Sequence, residues 1–436
     1  MRVISLLLEN FRGFEKLDLQ FPDEPPLMVF LGVNGAGKSS ILDAISGQLE
    51  YAVVNLSPGG GRMPWIGRDM RQGAERMSLG VALRSLGQDL SLSFTSQSSV
   101  LTGILEPTHI PKRDDVSGDN RHGSAVSSLL SSDPTADVPI AVHYRATRHV
   151  IRTPLEHEDA SLQDLDFPQR AAFLGALDGN ADDFGDFFRW YRDREDIENE
   201  QRRRPGQAEL LDRQLEAVRQ AVRDLFPGVA DLAVRRSRPE GFTLTKLGTP
   251  LVVEQLSDGE KCLLALAGDL ARRLAIANPS RENPCEGEGV VLIDEIELHF
   301  HPQWQRRIIP DLRRAFPNIQ FIVTTQSPQV VSQVPAECVR ILRPSEGGIE
   351  VVCPEHSEGL DSNTILEVLM ETPERPQDVR DRLSAISRDI DDARYDDASG
   401  KLAAFRAKYG NQPHAVRLET LIGIRKQLGG GHEVHQ

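Results

Sequence analysis

The chain has 436 residues, 39% of them apolar, and a formal net charge of −15. That length suits two or three domains or one large α/β domain carrying insertions, with apolar content enough for a sizeable core. The charge excludes a surface that attracts nucleic acid everywhere, so any DNA contact has to come from a local basic patch. The opening reads as strand, turn, strand: VISLLLENF and LDLQF alternate, PDEPP interrupts them, and LMVFLG is a short apolar run ending in glycine. Gly32 to Ser40 leads into an amphipathic helix, SSILDAISGQLE. Residues 56 to 76, rich in glycine and arginine, predict a surface loop, and the alternation at 78 to 84 and 89 to 95 predicts a small antiparallel sheet. Residues 107 to 137 carry little to bury and are expected to be mobile, and VPIAVHY then follows as an apolar strand.

A helical middle spans residues 160 to 226, where DFFRWYRDREDIENEQRRR and ELLDRQLEAVRQAVRDLF have helical periodicity, dense mixed charge and a break at Pro205 and Gly206. This is too short for a long coiled-coil arm. Residues 232 to 254 alternate as a hairpin, Leu256 to about Leu342 alternate helix and strand, and three amphipathic helices follow residue 360 before a frayed GGGHEVHQ. The resulting divisions are an N-terminal lobe at 1–155, a helical insertion at 156–230, a C-terminal lobe at 231–350 and a helical, partner-binding region at 360–430. No internal repeat is present.

The four cysteines, Cys262, Cys285, Cys338 and Cys353, lie far apart without a C-x-x-C pair, which fits reduced thiols and neither a zinc site nor a disulfide framework. No N-terminal run has the pattern of a signal peptide, and the longest apolar-rich stretch, Cys262 to Ala277, is interrupted by Asp269, Arg272 and Arg273. A cytoplasmic protein without a membrane span is expected.

Three stretches carry chemistry. Gly32 to Ser39, GVNGAGKS, matches G-x-x-x-x-G-K-[ST] between an apolar strand and a helix. At such a turn the backbone of Asn34, Gly35, Ala36 and Gly37 converges on phosphate oxygens together with Ser40, Lys38 neutralises the β/γ charge, and the Ser39 hydroxyl is placed to ligate Mg²⁺. The expected cofactors are therefore ATP and Mg²⁺. Far downstream, GVVLIDE ends an apolar strand in two carboxylates: Asp294 is the candidate magnesium ligand and Glu295 the candidate general base for the attacking water. The third stretch, LSDGE at 256 to 260, opens a helix with a capping box from Ser257 to Glu260, and a helix start led by serine and the bare Gly259 is also an anion site.

In this order the three motifs resemble the ABC-type ATPase heads of the SMC and RecF-like group, over roughly residues 1 to 50 and 250 to 345. The resemblance implies an α/β fold, a mixed sheet with flanking helices. It also implies a dimer of heads in which Ser257 and Gly259 of one copy close over the nucleotide of another. It brings Asn10 and Arg12 of LENFRGF toward the nucleotide, although a polar strand edge explains them equally well. Asp258 stands where the signature usually has glycine and sets a carboxylate near the facing phosphates, which weakens closure unless magnesium or a basic neighbour screens it.

DEIELHFHPQWQ, QLSDGEK, FFRWYRDREDIENE and TPERPQDV together resemble the ATPase subunits of Septu-type antiphage systems, PtuA, which work beside a small HNH nuclease, PtuB. His299 and His301 belong by this resemblance to the head interface, and no third ligand accompanies them as a metal site. A metal-sensing glutamine is expected between the phosphate loop and the signature, with Gln169 and Gln163 as candidates. Arg145 and Arg148 of YRATR follow a core strand, where a phosphate or DNA contact and a solvated loop end both fit. Gln326 stands where the family usually has a histidine facing the terminal phosphate. Its neutral amide can donate a hydrogen bond but supplies no positive charge, which predicts slow turnover. Three functions compete: a defence ATPase controlling an HNH nuclease, a RecF- or SMC-like DNA-repair ATPase, and a nucleotide-dependent scaffold. DNA contact, if made, falls on Arg202, Arg203 and Arg204 with Arg213, or on Arg235, Arg236 and Arg238.

Overall fold

A computed structural model describes residues 1–53, 56, 69–97, 116–118, 121–146, 168–177, 183–237, 240–345, 348–373 and 375–430. It divides into two compact units, Met1–Ile365 and Leu366–Gln436.

Among the described residues the first unit is built on three sheets. The N-terminal strands β1 (Arg2–Phe11) and β2 (Phe14–Gln20) are followed by β3 (Leu27–Leu31), the helix α1 (Lys38–Val53), β4 (Arg76–Ser85), β5 (Gln88–Gln97), β6 (Val116–Gly118), α2 (Arg121–Ser132) and β7 (Ile140–Tyr144). Then come α3 (Asp183–Arg202), α4 (Arg213–Leu225), β8 (Val229–Arg235), β9 (Gly241–Lys246), β10 (Thr249–Val252), α5 (Asp258–Ala277) and β11 (Gly289–Ile293). Short helices α6 (Pro302–Gln305) and α7 (Ile308–Ala315) lead to β12 (Ile319–Thr325), and α8 (Pro328–Val331), β13 (Val339–Ser345), β14 (Gly348–Val352) and α9 (Ser362–Thr364) close the unit.

The central sheet runs β14-β13-β3-β12-β11-β7. Its strands from β13 through β7 are parallel, with β14 antiparallel at the edge. Every residue of β3, β7, β11 and β12 is buried, the polar His143, Gln320, Thr324 and Thr325 included, as largely apolar runs require of strands covered on both faces. Helix α1 packs on β7, β11 and β12 and also against β4 and β5 of the antiparallel sheet β2-β1-β4-β5-β6. The two sheets are also stitched side by side, because Gln320 of β12 accepts from the Val3 amide at 2.7 Å and donates to its carbonyl at 2.9 Å. The pairing at 78–84 and 89–95 thus belongs to a five-stranded sheet that includes the N-terminal strands.

The helical middle is not set apart from the lobes. Phe184, Phe187, Phe188 and Tyr191 of α3 gather around Phe242 of β9 with ring centroids 5.0 to 5.8 Å apart, and α3 and α4 both pack on α5. The expectation of mobility over 107–137 is overturned for residues 121–132, which form α2 and bury Val126 and Leu130. Val126 and Leu130 lie one turn apart and, with the buried His122, give this short helix a face to pack beside α1.

The second unit holds α10 (Gln377–Asp391), α11 (Tyr395–Tyr409) and α12 (Pro413–Gly430). They share their own core of Val379, Leu383, Ile386, Ile390, Leu402, Phe405, Leu418 and Ile422. No helix among the described residues is long and apolar enough to cross a membrane.

Candidate nucleotide site

The chemistry gathers at the C-terminal ends of β3, β11, β12 and β7, where a parallel sheet places its switch-point crevice. The turn between β3 and α1 needs glycine at position 37: the backbone there has φ +90°, and an added Cβ would lie 2.5 Å from Ile349 Cδ1 and 3.1 Å from the Phe14 ring. Lys38 is buried, donates to the Gly32 carbonyl at 2.9 Å and the Val33 carbonyl at 3.2 Å, and stands 3.4 Å from Glu295. Val33, Asn34 and Gly35 remain exposed at the rim.

Ser39 donates its hydroxyl to Asp294 at 2.7 Å, so the two candidate magnesium ligands, 255 residues apart in sequence, touch. Thr324, next to last in β12, donates its hydroxyl to the other oxygen of Asp294 and accepts the Glu295 amide at 2.7 Å. Glu295 itself takes φ +49°, a left-handed conformation that a non-glycine residue keeps only where its surroundings enforce it. A hydroxyl and a carboxylate side by side are hard oxygen donors of the kind Mg²⁺ takes beside phosphate and water. With the glycine turn and the buried lysine they fit ATP·Mg²⁺.

A second polar group flanks this pair. Asp43 lies one helical turn beyond Ser39 on α1 and takes Arg12 at 2.7 Å and Arg145 at 2.8 Å. Arg12 also reaches Ser40 at 3.3 Å and Asp69 at 2.9 Å, which ties the β1–β2 turn to the phosphate-loop helix. Asn10 instead donates to the Arg76 carbonyl at 2.8 Å, a strand-edge role. Arg145 follows β7, the strand paired in register with β11, and so emerges beside Asp294. Beneath it His143 is buried, its pKa pushed down to about 3 by burial and by the neighbouring Arg145.

Gln326 lies at the end of β12. Its side-chain amide donates to Glu295 Oε2 at 2.9 Å and its backbone amide donates to Glu297 Oε1 at 2.7 Å. Glu297 is buried, and burial, with the charge of Glu295 adding to it, holds its carboxyl above the usual range despite the hydrogen bond from the Gln326 amide.

The structure does not bring Gln169 to the magnesium pair. It sits buried in the turn Pro168–Phe173 and donates its amide to the carbonyls of Pro134 at 2.7 Å and Ala136 at 3.3 Å, before the N-terminal end of β7 and thus at the opposite edge of the sheet. Its role here is to satisfy a loop backbone, which corrects the metal-sensing assignment. Gln163, Arg148 and Arg238 lie outside the described residues.

At the signature, Ser257 and Glu260 form the reciprocal capping box, with the Ser257 amide donating to Glu260 at 2.9 Å. Burial raises the Glu260 carboxyl, but the Lys246 ion pair and the Ser257 donors outweigh it and leave its pKa below the usual range. Gly259 has a reason that the sequence did not reveal: a Cβ there would lie 2.4 Å from the His299 carbonyl oxygen. The glycine therefore seats the helix start against the segment after the acidic pair, whatever it does for an anion. Ser257 and Asp258 are exposed, and Lys261 stands 3.7 Å from Asp258, the basic neighbour that screens it. His301 caps α6, and among the described residues no three His, Cys, Asp or Glu side chains cluster as a metal site.

Several arginines of the expected DNA patches have partners within the chain. Arg202 pairs with Glu198, Arg204 with Glu200, Arg213 donates to the Pro279 carbonyl, and Arg236 pairs with Glu195 and Asp196.

Sheet order, phosphate loop and acidic strand end define a P-loop ATPase of the SMC/RecF-like ABC type. The chain belongs to the family described as "AAA domain, putative AbiEii toxin, Type IV TA system", whose model matches residues 27–332. It is 30% identical over 431 residues to the retron Ec83 probable ATPase of Escherichia coli, covering 86% of this chain and 77% of that one. A shorter match, 45% over 76 residues, is to the Septu protein PtuA of Bacillus mycoides, 17% of this chain and 10% of that one. In shape it is similar to the SMC head domain from Thermotoga maritima, with TM-score 0.42 and 16% identity, over 81% of this chain and 100% of that one.

Proposed function

We propose that this chain is a slow ATPase of antiphage defence that binds ATP·Mg²⁺ between paired copies and controls a separate HNH nuclease of the PtuB type acting on DNA. The observation that carries the ATPase reading is the contact of Ser39 with Asp294 beside Lys38 and Glu295. Lys38 and the loop amides bind the phosphates, Ser39 and Asp294 hold the metal that screens them, and Glu295 orients and deprotonates water. The exposed Ser257 and Asp258 leave the signature helix start open to a second copy. The relation to a retron ATPase and the short match to PtuA support the defence setting.

Slow turnover follows from Gln326, which brings no positive charge to the site once a second copy covers it and so forgoes roughly a hundredfold in rate. ATP then sets an assembly state more than it drives repeated strokes. The test measures nucleotide binding, turnover and mass of the wild type, Glu295→Gln, Ser257→Arg and Gln326→His. Expected are slow wild-type turnover that rises in Gln326→His, and an ATP-held dimer in Glu295→Gln that Ser257→Arg prevents. Brisk wild-type turnover, or no rise with histidine, refutes the slow-engine reading; a Ser257→Arg protein that still pairs on ATP refutes the trans signature. A replication or repair operon around the reading frame, in place of an HNH gene, would favour DNA repair.

A further inference from the structure

The turns after β11 and β12 are laced together by hydrogen bonds that converge on Glu295. Thr324 holds the Asp294 carboxylate and the Glu295 amide, and its own carbonyl accepts the Ile296 amide at 3.0 Å. Gln326 then closes the lace from the other strand, with its side chain on Glu295 and its backbone on Glu297. The Gln326 side chain is exposed and would otherwise sample several rotamers, whereas Glu297 is 8% exposed and pinned. One oxygen of Glu297 accepts the Gln326 amide while the other is buried with no hydrogen-bond partner. A carboxyl in that state is tolerated only where the fold or the chemistry gains from it.

We infer that Gln326 acts on the carboxylate of Glu295, not on the terminal phosphate, and that Glu297 is the positioning residue that fixes Gln326 for that task. A neutral donor suits this role. It fixes one oxygen of the base by a single hydrogen bond and leaves the other turned toward Lys38, 3.4 Å away. Glu297 acts at one remove, because without its acceptor the residue-326 backbone is released and the amide of Gln326 no longer meets Glu295 at 2.9 Å.

The inference rests on the proposed hydrolysis, and the test separates the two. Turnover and the affinities for fluorescent ATP and ADP are measured for wild type, Gln326→Ala, Gln326→Glu, Glu297→Ala and Glu297→Gln. Gln326→Ala and Glu297→Ala are expected to lower kcat about tenfold with ATP affinity unchanged, the pattern of a misplaced base. Glu297→Gln keeps an acceptor for the amide and is expected within about twofold of wild type. The double alanine variant should lose no more than either single one. Gln326→Glu sets a like charge against Glu295 and should abolish turnover while the preference for ATP over ADP persists. If Gln326→Glu instead loses that preference, Gln326 faces the phosphate and the inference falls. It also falls if the alanine losses add, or if Glu297→Gln is as slow as Glu297→Ala. Should Glu297→Ala fail to fold, the two Gln326 variants and Glu297→Gln decide alone. A wild type that binds ATP without ever hydrolysing it sinks the catalytic reading of the whole site; slow wild-type turnover left unaltered in these variants sinks only this one.

Discussion

Replacing Asp269 with asparagine should destabilise the first unit by about 3–5 kcal/mol, the usual cost of breaking a buried ion pair by removing one partner. Asp269 is fully buried on α5 and accepts Arg272 Nε and Nη2 at 3.1 and 2.5 Å, Arg273 Nε at 2.7 Å and the Tyr144 hydroxyl at 2.8 Å. The two arginine side chains are 7% and 0% exposed, so water cannot replace the lost charge. Arg273 keeps the carbonyls of Ala172 and Leu174 at 2.8 Å, so the larger share of the penalty falls on Arg272. Burial alone would raise the Asp269 carboxyl, but the two arginines outweigh it and hold it below the usual range. Its contribution is therefore complete above the unfolded carboxylate range and is lost as pH falls through the depressed folded value. Urea unfolding at pH 7, followed by circular dichroism, measures the loss. Tyr144→Phe removes one hydrogen bond to a charged group, about 1.5–3 kcal/mol, and the double variant should lose less than the sum. A cost below about 1 kcal/mol for Asp269→Asn would refute the premise that these arginines depend on this carboxylate.

Gly37→Ala should lose nucleotide binding by more than tenfold, because its methyl would meet Ile349 and Phe14 at a backbone φ of +90°; affinity for fluorescent ATP reads this directly. His122 is 2% exposed and burial pushes its pKa down to about 4, so the unfolded chain takes up the proton first as pH falls. Stability should accordingly drop by about 2 kcal/mol between pH 7 and pH 5 from this residue alone, and His122→Gln should remove that part of the slope in urea titrations. Alanine at Arg202, Arg203 and Arg204 should leave the salt dependence of any DNA binding unchanged, since Arg202 and Arg204 are paired with Glu198 and Glu200; a flattened slope would restore that patch as a DNA contact.

What could be read from the sequence was whatever is local. GVNGAGKS dictates its own turn, and an apolar strand ending in Asp294 and Glu295 announces both its burial and its polar end. Asp43 follows Ser39 by four residues and so shares its helix face, a spacing that would have singled it out. Gln169 failed because a glutamine carries no mark of which carbonyls it will satisfy; only the packing of the turn Pro168–Phe173 against the residues before β7 decides that. The packing reason for Gly259 was hidden in a related way, since the neighbour that excludes a side chain is the His299 carbonyl forty residues away. The partners of Gln326 were equally hidden, because Glu295 and Glu297 meet it only when β11 and β12 pair in register.

The buried charges of α5 also bear on how the signature is aimed. A helix packed by apolar side chains alone has its rotation less tightly specified, and apolar side chains in place of a buried charge cluster are often no less stable. The charged trio removes that freedom. Arg273 must face the carbonyls of Ala172 and Leu174, and Asp269 must face Tyr144 of β7. Fixing those contacts fixes the rotation of α5 about its axis, and with it the direction of Ser257 three turns earlier. Tyr144 is followed by Arg145, which grips Asp43 on the phosphate-loop helix. The start of α5 and the strand end beside the candidate metal pair are thus referenced to the same buried carboxylate. Contacts as directional as these specify the rotation of the helix in a way that apolar packing alone would not.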